Sequence, residues 1–559
     1  MNLGKESSNV LSSEMSDFAN TIYEQKYAWR DEEGNVVENW SDTAYRVVEN
    51  VLGALGYSTD SEEFNKLYDF VKDRKFIPGG RYLYASGRDL HQTQNCLLLK
   101  AEDSREGWAD LLAKSAMALQ TGAGIGVDYS GIRASNTPIK RTGGVASGPI
   151  PLMKMINEIG RGVMQGGARR SAIWAGLNWS HPDCEEFIRI KDWRQEVRDI
   201  KAVDFNFPAD MEFTNVSILL DDEFFAAYED KDHEKHKLAH HIYHLGVQFM
   251  VKTAEPGFSV DIGDNAGETL RNACCEVTSH DDSDICNLGS INLARIADID
   301  EMREVVRYGT LFLLAGTVYS HLPYDKVKEV RAKNRRLGLG VMGVHEWLLK
   351  KGKKYGPDTE LGNWLDVYTQ STNFASDWAA KHSLNTPVKT RAIAPTGTIG
   401  IMAETTTGIE PIFCVAFKRR YKEAKANGDD IINYQYVIDP TAKRLIDEGV
   451  DPEAIEDAYT LAFDVERRIA MQAWMQQYVD HGISSTINLP YPITDPTEVA
   501  DFADLLYGYL PQLRGITCYP DGSRGGQPFT ISTYEEAKDK VGVVYEEDEA
   551  KCVGGLCGV

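Results

Sequence analysis

Asn95–Cys–Leu–Leu–Leu99, followed after a polar interval by Trp108–Ala–Asp–Leu–Leu–Ala–Lys–Ser–Ala–Met–Ala–Leu–Gln120, is the stretch that decides the fold. A short unbroken apolar run reads as a buried strand, and the longer segment after it as a helix. The same texture returns downstream. Arg336–Leu–Gly–Leu–Gly–Val–Met–Gly343 and Ser484–Ser–Thr–Ile–Asn–Leu489 read as strands or strand ends, and Asp464 to Val479 as a long helix. Alternating strands and helices predict an α/β architecture with substantial parallel pairing. Before Phe76 the pattern differs: Ala44, Val47, Val48, Val51 and Leu55 recur at helical spacing behind a Ser/Asp start, so residues 1–75 read as helical. Beyond about residue 530 the chain turns acidic and ends Lys551–Cys–Val–Gly–Gly–Leu–Cys–Gly–Val559, whose composition predicts a mobile tail.

The 559 residues bury a large core, divided among two to four domains or held in one large barrel with a helical appendage. A net charge of -24 sets the surface as a whole against nucleic acid and anionic membranes, so a phosphate-bearing ligand must meet locally arranged donors. Met1 to Ser16 is polar and shows no signal-peptide pattern. The most apolar stretch, Leu311 to Val318, falls far short of the roughly 18 residues of a membrane helix. Nine cysteines are too few for a disulfide scaffold of this length. A reducing, cytoplasmic setting is the expectation, and cysteines that matter there are more often catalytic or metal-binding.

The densest group of reactive side chains is Asn272–Ala–Cys274–Cys275–Glu276. If the segment is extended, Asn272, Cys274 and Glu276 share one face and Cys275 points away. That face would hold an amide to fix a hydroxyl, a thiol to shuttle a hydrogen atom and a carboxylate to take a proton. A buried cysteine beside a surface glutamate is the commoner meaning of such a spacing. Cys96 and Cys286 form a redox pair only if the fold brings their Cα atoms within about 7 Å, which sequence does not decide. Cys552 and Cys557, beside Gly-Gly near an exposed terminus, suit thiol–disulfide exchange better than packing, and no second ligand pair for zinc lies near them.

Ala394–Pro395–Thr396–Gly397–Thr398–Ile399–Gly400 carries the Gly and Thr donors of a phosphate cradle. A second Gly-rich region holds Thr142, Gly143, Gly144 and Ser147, then Gly166, Gly167, Arg169 and Arg170, where paired arginines point to a nucleotide or another anion. Gly122–Ala–Gly–Ile–Gly126 lacks the spacing of a dinucleotide fingerprint. His233, His236, His240, His241 and His244 read as a solvated helix face, so no metal site is expected.

In their order these pieces resemble the large subunit of ribonucleotide reductases, over about Phe76 to Pro528 with the tail dithiol added. The motifs are Pro78–Gly–Gly–Arg81 with Asn95–Cys96; Gly122 to Ile132; Gly-Gly-Ala-Arg-Arg; Asn-x-Cys-x-Glu with Cys286–Asn–Leu; Ala-Pro-Thr-Gly-Thr-Ile; and Cys-x4-Cys. The resemblance implies a ten-stranded α/β barrel over residues 76–530 with a central finger loop carrying the radical cysteine. A helical region (1–75) precedes the barrel and a redox tail (531–559) follows it. It implies that Cys274 is the thiyl radical that takes the ribose 3′ hydrogen, Glu276 the base for the 3′ hydroxyl and Asn272 its hydrogen-bonding partner. Cys96 and Cys286 would reduce the 2′ position and end as a disulfide. Cys552 and Cys557 would then re-reduce that disulfide, recharged by a thioredoxin- or glutaredoxin-like protein.

Further implications are substrate contacts at Asn95 and residues 395–400, a deoxynucleotide or ATP effector on the two Gly-rich loops, and a homodimer. Ribonucleoside diphosphates are the expected substrate. Two departures narrow the branch. No ATP-binding cone is apparent in the N-terminal region. Cys518–Tyr519 stands where relatives with a separate radical subunit have paired tyrosines. This favours adenosylcobalamin as cofactor and radical chemistry within one chain. The alternative is a large subunit without a cofactor of its own, whose radical comes from a metal-containing partner; an inactive nucleotide-binding regulator is more remote.

Overall fold

The computed structural model describes residues 15–140, 143–165, 169–204, 207–424, 430–523, 529–541 and 543–546. Three helices come first: α1 (Asp17–Lys26), α2 (Trp40–Gly53) and α3 (Glu62–Lys72). A capping box fixes the start of α2: the Asn39 side chain accepts the Asp42 N–H at 3.1 Å, and the Asp42 carboxylate accepts the Asn39 N–H at 3.0 Å. The apolar stripes of α2 and α3, among them Val47, Val48, Val51, Leu67 and Val71, are fully buried. They pack in one core with Leu311, Phe312 and Leu314 of the long helix α4 (Ile299–Tyr319).

The strands follow in chain order. They are β1 (Phe76–Pro78), β2 (Cys96–Lys100), β3 (Gly124–Asp128), β4 (Ile173–Asn178), β5 (Thr214–Asp221), β6 (Gly257–Asp261), β7 (Leu270–Arg271), β8 (Thr278–Ser279), β9 (Asp284–Asn292) and β10 (Leu337–Met342). After them come β11 (Ala416–Ala424), β12 (Asp430–Ile438), β13 (Thr486–Leu489), β14 (Gly515–Pro520), β15 (Phe529–Ser532) and β16 (Val544–Glu546). Ten of them form one sheet in the order β1-β9-β2-β3-β4-β5-β6-β14-β13, with β10 also on β9. β2 to β6 are mutually parallel, as strands joined by helices must be. The β9–β10 and β13–β14 pairs are also parallel, and each joins the first block antiparallel. Beyond the named strands, Leu339 of β10 bridges Arg391, and Ile393 bridges Ile483 just ahead of β13.

The alternation of β2 sorts its side chains. Leu97 and Leu99 join the core under the crossover helices, while Cys96 and Leu98 lie on the other face with Leu270, Val277, Cys286 and Leu288. A separate four-stranded sheet, β15-β11-β12-β16, lies apart from the large one. It corrects one expectation: residues 531–546 are not a free tail, since β15 pairs with β11, β16 with β12, and Ala537 between them is fully buried. Cys552 and Cys557 lie outside the described residues. Among the described residues, no helix is long and apolar enough to cross a membrane.

Candidate active site

Strand register makes the first contact. Cys286 and Cys96 are direct antiparallel partners, a relation that holds Cα atoms about 4.5–5.5 Å apart, inside the usual span of a disulfide. Both thiols are free and buried. Burial, reinforced by the carboxyl of Glu276, pushes the Cys96 thiol well up; for Cys286 burial leads and Asp284 adds to it, against Arg336. Each is therefore a protonated thiol at neutral pH.

A hairpin delivers the remaining groups. β7 and β8 pair through Arg271↔Thr278 and Leu270↔Ser279, leaving residues 272–277 as its tip. The tip is a turn, not an extended segment: the Cys275 N–H donates to the Asn272 carbonyl at 3.0 Å, and Cys275 has φ +67°. The expected alternation of faces is therefore corrected. Cys274 and Cys275 both line one cavity of about 300 Å³. The grouping of Asn272 and Glu276 comes from the turn itself. The Asn272 amide donates to Cys96 Sγ at 3.4 Å and accepts the Val277 N–H at 3.0 Å. Burial pushes the Glu276 carboxyl up to about 7, against a hydrogen bond from the same Asn272 side chain.

The hairpin is short, and charges grip its base. Arg271, fully buried, pairs with Asp261, which also takes Arg514 at 3.2 Å. Arg514 reaches Glu268 at 3.2 Å, Lys389 pairs with Glu268, and Arg336 joins Glu268 at 3.6 Å and Asp284. Burial alone would raise the Glu268 carboxyl, but Lys389 and Arg514 outweigh it and hold it at about 2. Burial and the four nearby cations push His481 well down. It is neutral, and its Nδ1 accepts the Thr278 N–H at 3.2 Å. Gly126 of β3 lets the hairpin pass: a Cβ there would lie 1.8 Å from the Arg271 carbonyl oxygen. Sequence reading missed this cluster because its members are scattered from 261 to 514. The one signal in sequence that could have pointed to it is Gly126, set aside above only as no dinucleotide fingerprint.

The Gly/Thr loop lies between two cavities. Pro395 lines the one at Cys274, whereas Gly397 and Thr398 line a larger one of about 750 Å³ bounded by β11 and β12. Pro395, Gly397 and Thr398 are exposed; Thr396, Ile399 and Gly400 are buried. Thr396 has φ +51°, and its hydroxyl accepts the Gly408 N–H at 2.8 Å, so it shapes the loop. Asn95 adjoins the pair, its Oδ1 3.8 Å from Cys96 Sγ.

Gly143, Gly144 and Ser147 are exposed in a surface loop. Thr142, Gly166 and Gly167 lie outside the described residues, and Arg169–Arg170 form a two-residue strand against Met164–Gln165. Along β14 burial alternates: Cys518 is buried in the core under the helices, Thr517 and Tyr519 are half-buried, and all three border the Cys274 cavity. His240 stacks on Tyr228 and meets His236 edge-on, and all three are half-buried, so that face is only partly solvated. Among the described residues no cluster suits a metal ion.

Comparison with known proteins places the chain in a family. The profile of the ribonucleotide reductase barrel domain matches residues 94–256, 263–376 and 380–519, and that of the family's all-alpha domain matches residues 13–91. The chain is 28% identical to the vitamin B12-dependent ribonucleoside-diphosphate reductase of Thermoplasma acidophilum, over 86% of this chain and 68% of that protein. It is 27% identical to a protein of the same name from Mycobacterium tuberculosis, over 96% of this chain and 82% of the relative. With both domains matched in order over most of its length, the chain belongs to the ribonucleotide reductase family.

Proposed function

We propose that this chain reduces ribonucleotides, ribonucleoside diphosphates first among them, at the Cys274 site, with adenosylcobalamin as the source of the radical. The observation that carries the reading is the cross-strand pair Cys96–Cys286, with the Asn272 amide on one sulfur and Glu276 within electrostatic reach of both. Cys274, as a thiyl radical, takes the 3′ hydrogen of the ribose, and Glu276 takes the proton of the 3′ hydroxyl. A carboxyl titrating near 7 is suited to accept and return a proton at neutral pH. Water leaves from the 2′ position, Cys96 and Cys286 supply two electrons and two hydrogens, and a disulfide forms between them. Gly397 and Thr398 hold the substrate phosphates. Cys552 and Cys557 return the electrons, drawing on a thioredoxin-like reductant.

The cofactor reading draws on the relatives' names and on the cavity beside Cys274. Its volume lies at the low end for small-molecule sites, and Ser217, Glu255, Thr517 and Tyr519 line it with the donors and acceptors that a nucleoside moiety requires. When bound, adenosylcobalamin supplies the oxidising equivalent that turns the Cys274 thiol into a radical. One observation favours the partner-subunit reading: Tyr519 faces the Cys274 cavity, as a relay residue would. Cys518, in the place of a second tyrosine, is buried in the core under the helices, and a thiol there leaves such a relay one tyrosine short.

The proposed architecture is a closed barrel with β7–β8 as its central finger, spanning 76–530 between a helical region (1–75) and the tail. Its support is the pair of bridges that carry hydrogen bonding from β10 through Arg391 and Ile393 to Ile483 and β13. Effector binding is proposed at the loops around 142–148 and 166–171. A two-fold dimer is proposed through the helix Ile150–Gly162, which exposes Met155.

The test is an assay of the purified chain alone with adenosylcobalamin, dithiol, ribonucleotide and effector. Turnover is expected without a second subunit. A chain that stays inert until a metal-containing partner is added overturns the cofactor reading in favour of the alternative.

A further inference from the structure

Two thiols stand side by side at the finger tip, and the proposed reaction uses only Cys274. In an extended strand, neighbours point to opposite faces. Here the chain turns between them, Cys275 sits at φ +67°, and both residues are half-exposed to the same cavity. A left-handed backbone at a non-glycine residue persists only where its surroundings hold it, and such residues cluster at functional sites. The Ser217 side chain bonds the Cys275 thiol, and burial pushes that thiol up to about 12, so it is protonated at neutral pH.

We propose that Cys275 is the resolving thiol of Cys274: a peroxide oxidises Cys274, and Cys275 closes the product into a vicinal disulfide that silences the site reversibly. The inference rests on reading Cys274 as the reacting thiol. In the first step the peroxide O–O bond breaks, the Cys274 S–H becomes S–OH, and one water leaves. In the second, the Cys275 sulfur attacks the Cys274 sulfur, the S–O bond breaks, and hydroxide departs with the Cys275 proton as a second water. The two thiols lose two electrons, which end on the peroxide oxygens. A dithiol returns both.

Geometry makes such a bond easy to undo. Adjacent Cα atoms across a trans peptide are about 3.8 Å apart, shorter than the roughly 4.4–6.8 Å usual for disulfides, and departures of this kind make the bond more reducible. Without a neighbouring thiol, a sulfenic acid proceeds to the sulfinic state, from which dithiols do not rescue it.

The experiment treats the reduced full chain with hydrogen peroxide, alkylates the remaining thiols and cleaves after glutamate. This releases Thr269–Glu276, which contains Cys274 and Cys275 and no other cysteine. The expected wild-type peptide is unalkylated and lighter by two hydrogens. Dithiothreitol should return it to two alkylatable thiols and restore most of the lost nucleotide reduction. In Cys275→Ala the same treatment should leave Cys274 carrying two extra oxygens, with little activity recovered. Peroxide-treated wild-type protein that keeps both thiols alkylatable, or that links Cys274 to Cys96, overturns the inference, as does equal recovery in Cys275→Ala. The mass readout does not depend on the reaction. Absence of the disulfide therefore leaves the proposed function standing, and an untreated chain that never reduces nucleotides overturns the function alone.

Discussion

Two hairpins in this protein follow opposite designs. The finger that ends in Cys274 has strands of two residues each, whereas β11 and β12 have nine each and pair along their whole length. Ladder length alone would make the second the firmer. The finger nevertheless holds the groups proposed to react, because its base packs against the large sheet at Gly126 and is tied by Arg271, Asp261, Arg514, Glu268 and Lys389. Position here comes from burial, ion pairing and a glycine that yields space, while the long hairpin leaves Arg419 exposed to solvent and walls a cavity.

The comparison is broken most severely at the finger tip. Cys274→Ala should abolish nucleotide reduction while leaving circular dichroism and nucleotide binding intact, whereas Cys275→Ala should retain most activity. Equal loss in both would refute the separate roles. At the base, Arg271→Met leaves Asp261 buried with only Arg514, and should cost about 3–5 kcal/mol in denaturant unfolding. Gly126→Ala drives a methyl into the Arg271 carbonyl and should cost about 1–3 kcal/mol, with an additional loss of turnover as the tip shifts. In the long hairpin, Arg419→Ala should change stability by no more than about 0.5 kcal/mol. A comparable loss there would erase the contrast.

Glu276 sharpens the account through pH. Its carboxyl titrates near 7 in the fold against 4.5 without burial, so the folded state holds the proton more tightly than the unfolded one. Stability should therefore fall as pH rises from about 4.5 to about 7, by on the order of 3 kcal/mol, and level off above that range. Glu276→Gln should remove this slope in melting experiments at matched pH values. If Glu276 is the base of the proposed reaction, its carboxylate form is the active one, so turnover should rise as pH passes through about 7, where the folded carboxyl loses its proton.

Much of this was legible in the sequence. The Asn95–Leu99 run became β2, Trp108–Gln120 lies within a helix, and the early apolar spacing became α2. The facing of Cys96 and Cys286 was not, because register between strands separated by nearly two hundred residues depends on the whole sheet. The extended reading of residues 272–276 failed for a local reason. A non-glycine residue at positive φ carries no mark in sequence, and it broke the period-two argument at Cys275. The ion cluster was illegible because charges scattered along the chain read as surface charges until the fold buries them.

The central claim is that Cys96 and Cys286 spend their electrons on the substrate that Cys274 activates. It is tested most directly by a single turnover of pre-reduced protein with Cys552 and Cys557 replaced by serine, in the absence of added reductant. The account predicts one deoxyribonucleotide per active site and one new disulfide, mapped by peptide mass to Cys96–Cys286. Product formed while both thiols remain alkylatable, or a disulfide mapped elsewhere, would contradict it.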